Sequence, residues 1–357
     1  MARQRFSIAT FNVKNLVNPG VNYYQKKDGS WNRYSDAAFA RKVTWLAEQL
    51  ADMDADHVCL QEVFHVEALQ AVAERHAEIV ATRGLHQPAY TEILHFPNDR
   101  SKIDDPSPGL GYLGRRPVLS SRKVQDLTED PVILGSERGL SYSLTSTSRP
   151  IAIIEVDLGG LTGSIVNLHL KSKRPLLDRD DPADDPANLM FLDRAKGDVG
   201  SLVLRAGEAL AARREILSLL RGNGRPVFVL GDFNDGAEAV TTEVIRGESP
   251  WRNEPDAAIK QGFWDVELYS AAAIHLRRSE RADFTTHVHN GHHNTIDHIL
   301  LSQEFYYRNS RRIGDLDYMR AFNDHVVDGE FAGAPREPDA SDHGQLVAYF
   351  SFVPPDV

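Results

Sequence analysis

The ten residues from Pro226 to Asp235 constrain the fold of this chain more than any other stretch. They read Pro-Val-Phe-Val-Leu-Gly-Asp-Phe-Asn-Asp, an apolar run rich in β-branched residues that ends at a glycine. Such a run is typical of a strand that is buried on both faces. Asp232 and Asn234 follow two residues apart, so in extended chain their side chains point the same way. The stretch predicts either a site built on a rigid central strand or an Asx-rich turn after a core strand.

Composition limits what such a site could act on. The 357-residue chain is 41% hydrophobic and 25% charged, which is typical of a globular protein. No apolar run approaches the ~20 residues that span a bilayer. The first residues are too polar for a secretory signal, so we expect a cytoplasmic protein.

The single cysteine, Cys59, excludes an intrachain disulfide and argues against a thiolate metal site. The net charge of -11 disfavours tight, non-specific binding to a DNA backbone.

At six places along the chain, an apolar, strand-like run leads into or out of a polar residue. The polar residues are Asn12, Glu62, His169, Asp232 with Asn234, Asp297, and Asp342 with His343. Side chains of these types bind metals or move protons in enzymes. Each pairing alone is weak evidence, because polar residues also begin ordinary turns. The ordered set predicts that several strands end at one catalytic centre.

One predicted strand carries an unusual polar face. Alternation places Asn167, His169 and Lys171 on the same side, and this side is either exposed to solvent or the floor of an anion site. Lys171, Lys173 and Arg174 form a compact basic group next to His169. We expect this group to hold one or two substrate phosphates.

Two further stretches resemble ligand-binding motifs. Residues 284–295 hold four histidines, and the dipeptide Asn290-Gly291 among them predicts a hairpin turn. A zinc site is the less favoured alternative, because the spacing of the histidines fits no zinc motif. Residues 109–118 are rich in glycine. They indicate a strand that passes close to another backbone rather than a phosphate-binding loop.

Periodicity and composition place the remaining elements. Helices are predicted at Asp36–Leu50, with Ser35 as N-cap, at Val66–Ala77, and at Ser201–Arg221. Loops are predicted at 18–34, 83–108 and 236–262. Residues 173–200, with an acidic run between Asp178 and Asp185, predict a polar surface insertion.

In its order and spacing, the set of polar strand ends resembles the endonuclease/exonuclease/phosphatase superfamily, the fold of DNase I-like nucleases, sphingomyelinases and inositol-polyphosphate phosphatases. The matching segments are Thr10-Phe-Asn12, Leu60-Gln-Glu62, Asn167-Leu-His169, Gly231-Asp-Phe-Asn234, Ile296–Ser302 and Ser341-Asp-His343. The resemblance implies an α/β fold, a four-layer α/β/β/α sandwich of two packed, mainly antiparallel sheets flanked by helices. It also implies a single catalytic domain over residues 1–357, since the motifs run from end to end.

The resemblance also implies a metal site. Asn12, Glu62 and Asp342 correspond to the positions that bind or lie near the metal in the family. Their oxygen donors suit Mg²⁺, with Mn²⁺ as a substitute.

The catalytic roles follow in the same way. By resemblance, Asp232 activates a water molecule, Asn234 steadies the phosphate, and His169 contacts it. Asp297 orients His343, whose charged form it would favour.

The expected function is therefore a divalent-metal-dependent phosphoesterase, which hydrolyses phosphodiester or phosphomonoester bonds by in-line attack of an activated water. A DNA or RNA nuclease is the alternative. A catalytically silent binding protein on the same scaffold is disfavoured, because every catalytic position is retained. The acidic chain and its short basic group favour a small or flexible phosphoester over duplex DNA. The sequence leaves the oligomeric state open.

Overall fold

The computed structural model describes residues 4–26, 28–102, 105–135, 139, 141–177, 191–279, 281–329, 337 and 339–353. Two six-stranded sheets form its centre, with strands numbered along the chain. The first sheet has the order β17 (Gly314–Phe322), β18 (Gln345–Phe352), β1 (Arg5–Leu16), β4 (His57–Val63), β6 (Gly109–Gly114), β5 (Glu92–Phe96). The second has the order β13 (Tyr269–Ser270), β16 (Asp297–Leu301), β12 (Val227–Asp232), β11 (Thr162–His169), β10 (Ser146–Asp157), β7 (Val118–Asp126).

Helices and small ribbons complete the described structure. The ribbons are β2 (Asn22–Gln25) with β3 (Trp31–Arg33), β8 (Val132–Gly135) with β9 (Ser141–Leu144), and β14 (His287–His289) with β15 (His292–Asn294). The α-helices are α1 (Asp36–Met53), α2 (Val66–Arg83), α3 (Phe191–Leu220), α4 (Val240–Arg246), α5 (Ala257–Val266) and α6 (Ala271–Leu276). Within the described ranges, every helix is too short or too polar to cross a bilayer.

The two sheets share one plan. Each contains a single parallel pair, β1 with β4 in the first sheet and β11 with β12 in the second. All other neighbours within these sheets are antiparallel. The expectation of mainly antiparallel sheets is confirmed, and the parallel pairs bring strand ends of the same polarity side by side.

Three apolar cores separate four layers. One core lies between the sheets and contains side chains of both. A second lies between the first sheet and helices α1 and α2, and a third between the second sheet and helices α3 and α4. The predicted α/β/β/α sandwich is therefore confirmed.

Four aromatic rings clamp the two sheets together at one end. Phe6, Phe228, Phe305 and Phe350 are buried, and every pair of their rings is in contact, with centroids 5.0 to 5.8 Å apart. Phe6 and Phe228 lie where β1 and β12 begin, whereas the polar residues lie where these strands end. The rings therefore hold the sandwich closed at the end away from the polar residues.

Several local predictions are confirmed. Ser35 caps α1, accepting a hydrogen bond from the Ala38 amide at 3.2 Å, and the helix continues to Met53. Asn290 and Gly291 both have positive φ angles, of 49° and 73°, as a two-residue hairpin turn requires. A Cβ atom on Gly109 would lie 2.4 Å from the Phe96 carbonyl oxygen, so the glycine-rich stretch is a closely passing strand.

Other local predictions are wrong. Residues 83–108 include β5, residues 18–34 include the β2–β3 ribbon, and residues 236–262 include α4 and α5. Strand β5 is half-buried and α4 buries two threonines, so neither shows clear apolar periodicity. Helix α3 begins at Phe191 rather than Ser201, so the end of the predicted insertion is helical. The acidic run Asp178–Asp185 lies outside the described residues.

Removing one ring of the aromatic cluster should weaken the docking of the sheets. We expect Phe350→Ala to lower the free energy of unfolding by about 3–5 kcal/mol, because it leaves a cavity among three other rings. Leu119→Ala is the control, since Leu119 is 54% exposed; it should change stability by no more than about 0.5 kcal/mol. Urea unfolding followed by tryptophan fluorescence measures both, and equal effects would contradict the clamp.

Candidate active site

Strand ends from both sheets meet at the opposite end of the sandwich. The Asn12 Nδ2 atom, near the end of β1, donates to the Asp232 Oδ2 atom, at the end of β12, at 3.0 Å. The antiparallel strand β16 begins at the same place, where Asp297 pairs in register with Asp232. His343 follows from the far end of the chain and bonds to Asp297. The structure thus brings together side chains that are far apart in the sequence.

The end of β12 requires a glycine. Gly231 has a φ angle of 138°, and a Cβ atom there would lie 1.9 Å from the Leu168 carbonyl oxygen on β11. Immediately beyond, the Asn234 amide donates to the Asp232 Oδ1 atom at 2.8 Å, and the Asn234 side chain donates to the Leu170 carbonyl at 3.0 Å. The stretch therefore contains both an Asx turn and a cluster of polar side chains at the end of a central strand, the two structures that the sequence left open.

The Asp232 carboxylate is a buried polar group at the centre of these contacts. It is 1% exposed. His169 Nε2 lies 3.4 Å and His343 Nε2 lies 3.9 Å from its Oδ2 atom. Burial raises the pKa of Asp232 to about 7; the charge of His343 lowers it in part, and the charge of Asp297 raises it. Burial therefore favours the neutral form of this carboxyl.

Two histidines beside Asp232 have opposite charge preferences. His343 Nδ1 lies 2.9 Å from Asp297 Oδ2. Burial disfavours the charged imidazole, but Asp297 and Asp232 outweigh burial and raise the pKa of His343 well above its ordinary value. For His169, burial together with the charges of Arg149 and His343 lowers the pKa well below its ordinary value. His343 is therefore cationic and His169 neutral at pH 7.

Three oxygen-donor side chains surround the end of β1. The Lys14 amide donates to Asn12 Oδ1 and the Asn15 amide to Glu62 Oε2, both at 3.0 Å. Lys14 Nζ lies 3.4 Å from Asp342 Oδ2. Lys14, Asn15 and Glu62 all have positive φ angles, between 52° and 64°. Strained backbone of this kind is retained where it holds a functional arrangement.

A second group of side chains could also hold a metal. Among the described residues, Asp232, Asp297 and His343 have ligand atoms within 4.8 Å of one another. These three are already joined by hydrogen bonds and ion pairs, and the imidazole of His343 is cationic. In the part of the chain that the structure describes, the histidines of the β14–β15 hairpin form no comparable group.

The predicted basic group is only partly free. Lys171 Nζ donates to the carbonyls of Ser172 and Arg174, each at 3.0 Å. Lys173 Nζ lies 3.1 Å from Asp235 Oδ1. The Arg174 side chain is exposed. Lys171 also lies beyond the end of β11, so it does not share a strand face with His169.

The predicted polar face of β11 is not exposed. Asn167 is fully buried and donates to the carbonyls of Leu60 and Gly111 in the opposite sheet, at 3.2 and 3.1 Å. Its Oδ1 atom accepts from Gln61 Nε2 at 2.7 Å. The solvent-exposed alternative is wrong, because alternation identifies a shared face but not what packs on it.

The sequence analysis missed two residues at the site. The Arg149 Nη1 atom donates to the Leu170 carbonyl at 3.3 Å, and its Nε atom is buried without a partner. The His287 ring lies 5.3 Å from the ring of His343, measured between centroids. The signal for Arg149 was its place directly before the apolar run that begins at Pro150, although the strand itself already begins at Ser146.

Comparison with known proteins identifies the family to which the chain belongs. Residues 9–343 match the profile of the Endonuclease/Exonuclease/phosphatase family. No curated protein gives a significant match. A family member from Bacteroides thetaiotaomicron is 16% identical with a TM-score of 0.53, over 99% of each chain. The mannosyl-6-phosphatase of the same organism is 16% identical with a TM-score of 0.51, over 97% of this chain and 99% of that chain.

The catalytic domain of human Nocturnin with a bound sulfate anion is 15% identical with a TM-score of 0.50, over 99% of this chain and 96% of that chain. At these identities the structures show a shared fold. The profile match extends over most of the sequence and includes both the first and the last of the polar strand ends. The chain belongs to the endonuclease/exonuclease/phosphatase family.

Proposed function

We propose that this protein is a divalent-metal-dependent phosphoesterase in which Asp232 is the general base. One observation supports this above all: the Asp232 carboxyl is buried, with His169 Nε2 3.4 Å and His343 Nε2 3.9 Å from its Oδ2 atom, and burial raises its pKa toward neutral pH. A base of this strength accepts a proton from water near neutral pH and still releases it. We place the catalytic unit across the whole chain, because its side chains come from both ends.

We assign the metal to Asn12, Glu62 and Asp342. The donor set fits the group, since carboxylate and amide oxygens are the ligands that Mg²⁺ and Mn²⁺ prefer. The Lys14 ammonium lies 3.4 Å from Asp342 Oδ2, but its side chain is 38% exposed, so it can move aside for a metal ion. We disfavour the group around His343, because its cationic imidazole is buried and held by Asp297, so it cannot move away from a metal ion. When bound, the metal would neutralise charge that develops on the phosphate oxygens.

The remaining catalytic roles are assigned to side chains of the protein itself. Asp232 takes the proton of the attacking water, and Asn12 and Asn234 hold the carboxylate in place through the hydrogen bonds described above. His343 donates a charge-assisted hydrogen bond to a phosphate oxygen. Asp297 fixes the imidazole of His343 in the orientation that this requires.

Two remaining side chains face the substrate. His169, which is neutral, contacts the phosphate and assists the leaving group. Arg149 has a donor atom without a partner and lies close enough to lower the pKa of His169. It is therefore the cation we add to the predicted set.

We propose a small or flexible phosphoester as substrate. Lys171 and Lys173 are engaged within the protein, which leaves Arg149 and Arg174 to meet an anion. Two cations suit one or two phosphates, whereas duplex DNA is held by several more along its backbone. A nuclease remains the second candidate, because exposed Arg174 lies at the edge of the site and could contact a longer strand.

Metal removal tests the reaction class. Hydrolysis of a generic phosphodiester should be lost in EDTA and restored by Mg²⁺ or Mn²⁺. Glu62→Gln should weaken metal binding, so its activity should recover in part at raised Mg²⁺. Glu74→Gln, at an exposed carboxylate on α2, is the matched control. Full activity after exhaustive chelation would contradict the proposal.

Substitution of the base tests the assignment of roles. Asp232→Asn should lower kcat by about 10²–10⁴, because it removes the proton acceptor, and raised Mg²⁺ should not restore it. His343→Ala should be comparably severe. Asp52→Asn, at an exposed carboxylate on α1, should leave kcat unchanged. Near-normal turnover of Asp232→Asn would exclude Asp232 as the base.

The raised pKa of Asp232 also predicts an effect on stability. The folded protein binds this proton more tightly than the unfolded chain, so ionisation destabilises the fold progressively from about the ordinary value of 3.8 up to about 7. Asp232→Asn removes that penalty. In EDTA, its Tm relative to wild type should therefore be higher at pH 8 than at pH 4. A Tm difference between variant and wild type that stays constant from pH 4 to pH 8, or that decreases toward pH 8, would show that burial does not raise this pKa.

Substrate preference separates the two candidate activities. With saturating Mg²⁺ at physiological salt, we expect a higher kcat/KM for a small phosphodiester than for duplex DNA. Arg149→Gln should raise KM for both, because it removes a shared phosphate contact. Efficient nicking of plasmid DNA with negligible turnover of small phosphoesters would reverse the preference in favour of a nuclease.

A further inference from the structure

We propose that two copies of this chain form a symmetric dimer in which helix α3 of one copy packs antiparallel on α3 of the other. The outward side of α3 carries apolar residues at intervals of three or four, namely Ala195, Val199, Leu202, Ala206 and Leu210. Phe191 precedes them and is 89% exposed, while Val199 and Leu202 are 59% and 47% exposed. A stripe of this spacing is the pattern of a helix that packs on another helix.

The stripe is unusual in its length. A 30-residue helix is about 45 Å long, and the stripe follows most of it. Single exposed apolar residues are normal on a protein surface, but a continuous row marks an interaction surface. In the second half of α3, the opposite side packs on the second sheet through residues from Ala209 to Leu220.

A groove lies beside the second half of the helix. It has a volume of about 590 Å³ and runs between α3 and the β8–β9 ribbon. Its walls are mainly apolar and include Leu210 and Leu217 of the helix and Ile133 of the ribbon, which is 70% exposed. Arg221 lies at the end of the groove. The first half of α3 thus projects apolar side chains, and the second half offers a recess for them.

A two-fold axis at Ala206 would place the projecting side chains of one copy's first half against the groove beside the other copy's second half. In an antiparallel pair, residues at equal distances on either side of the axis face each other. Leu202 then lies opposite Leu210, and Phe191 lies opposite Arg221 at the end of the groove. The small side chain of Ala206 allows the helices to approach closely at the axis. Each copy contributes the same surface, as a closed dimer requires.

The charges next to the stripe agree with the same axis. Asp198 lies opposite Arg214 of the other copy, and the symmetry gives two such pairs. Within its own copy, Arg214 Nη1 lies 2.9 Å from Asp130 Oδ2 and its side chain is 34% exposed, so Asp198 of the other copy would add a second carboxylate to an existing ion pair. A parallel pair in register would instead place Asp198 against Asp198. Charge complementarity therefore favours the antiparallel second copy as the occupant of this surface.

The size of the surface is sufficient. A helix about 45 Å long and about 10 Å wide presents a footprint on the order of 450 Å². Insertion of Phe191 into the groove of the other copy adds roughly 150–250 Å². Together with the ribbon residues, the sum approaches the ~800 Å² per partner of a standard interface.

Engineered thiols test the axis directly. The native Cys59 is buried, so it should not react. Ala206→Cys places two thiols at the axis, and a short thiol-to-thiol crosslinker should convert the protein into a covalent dimer. Ser218→Cys is the matched control on the exposed side of the same helix, because its partner thiol is far away in this arrangement. Equal crosslinking of both variants, or of neither, would overturn the proposal.

Charge exchange tests the partner. In sedimentation velocity over a wide range of concentration, the wild-type chain should be a dimer. Asp198→Arg and Arg214→Asp should each raise the dissociation constant at least tenfold, and the double variant should restore dimerisation. Circular dichroism should show the same helix content for all four proteins. A monomer at every concentration, or a dimer unaffected by either single reversal, would overturn the proposal.

Discussion

The site depends on a short polar seam between two sheets that are otherwise joined by apolar contacts. The hydrogen bond from Asn12 to Asp232 crosses from one sheet to the other, and the bond from Gln61 to Asn167 crosses beside it. Buried polar groups destabilise a core unless they are paired, and these pairs form only when the sheets dock in one register. The polar seam therefore determines the register in which the two sheets pack. The aromatic rings at the other end stabilise that packing.

Burial at this seam gives the site its chemistry. Asp232 and Asp297 lie close together with one cationic imidazole between them, so the positive charge does not balance both carboxylates. Burial raises the pKa of Asp232, and the charge of Asp297 adds to that effect. The desolvation that would let this carboxyl act as a base near neutral pH also makes its ionised form unfavourable in the fold. Under the proposed function, activity and stability are therefore opposed at a single residue.

Continuous apolar runs in the sequence predicted buried strands that end in polar residues, whereas the sandwich itself was implied by the resemblance to the family. The sequence did not reveal β5, which is half-buried, or α4, which is short and buries threonines. It also could not show that Asn167 faces the other sheet, since alternation along one strand is silent about what packs against it. The roles given to the site residues stay predictions, because geometry shows proximity and not turnover.

The pairing of β1 with β18 has a consequence for biosynthesis. Arg5 is in register with Ser351, so the strand that carries Asn12 gains this neighbour only after about 350 further residues have been made. Contacts between such distant segments close slowly, because the connecting chain must lose much of its conformational freedom. His343 lies just before β18 and arrives with it. A chain that ends before His343 therefore cannot assemble the polar cluster around Asp232.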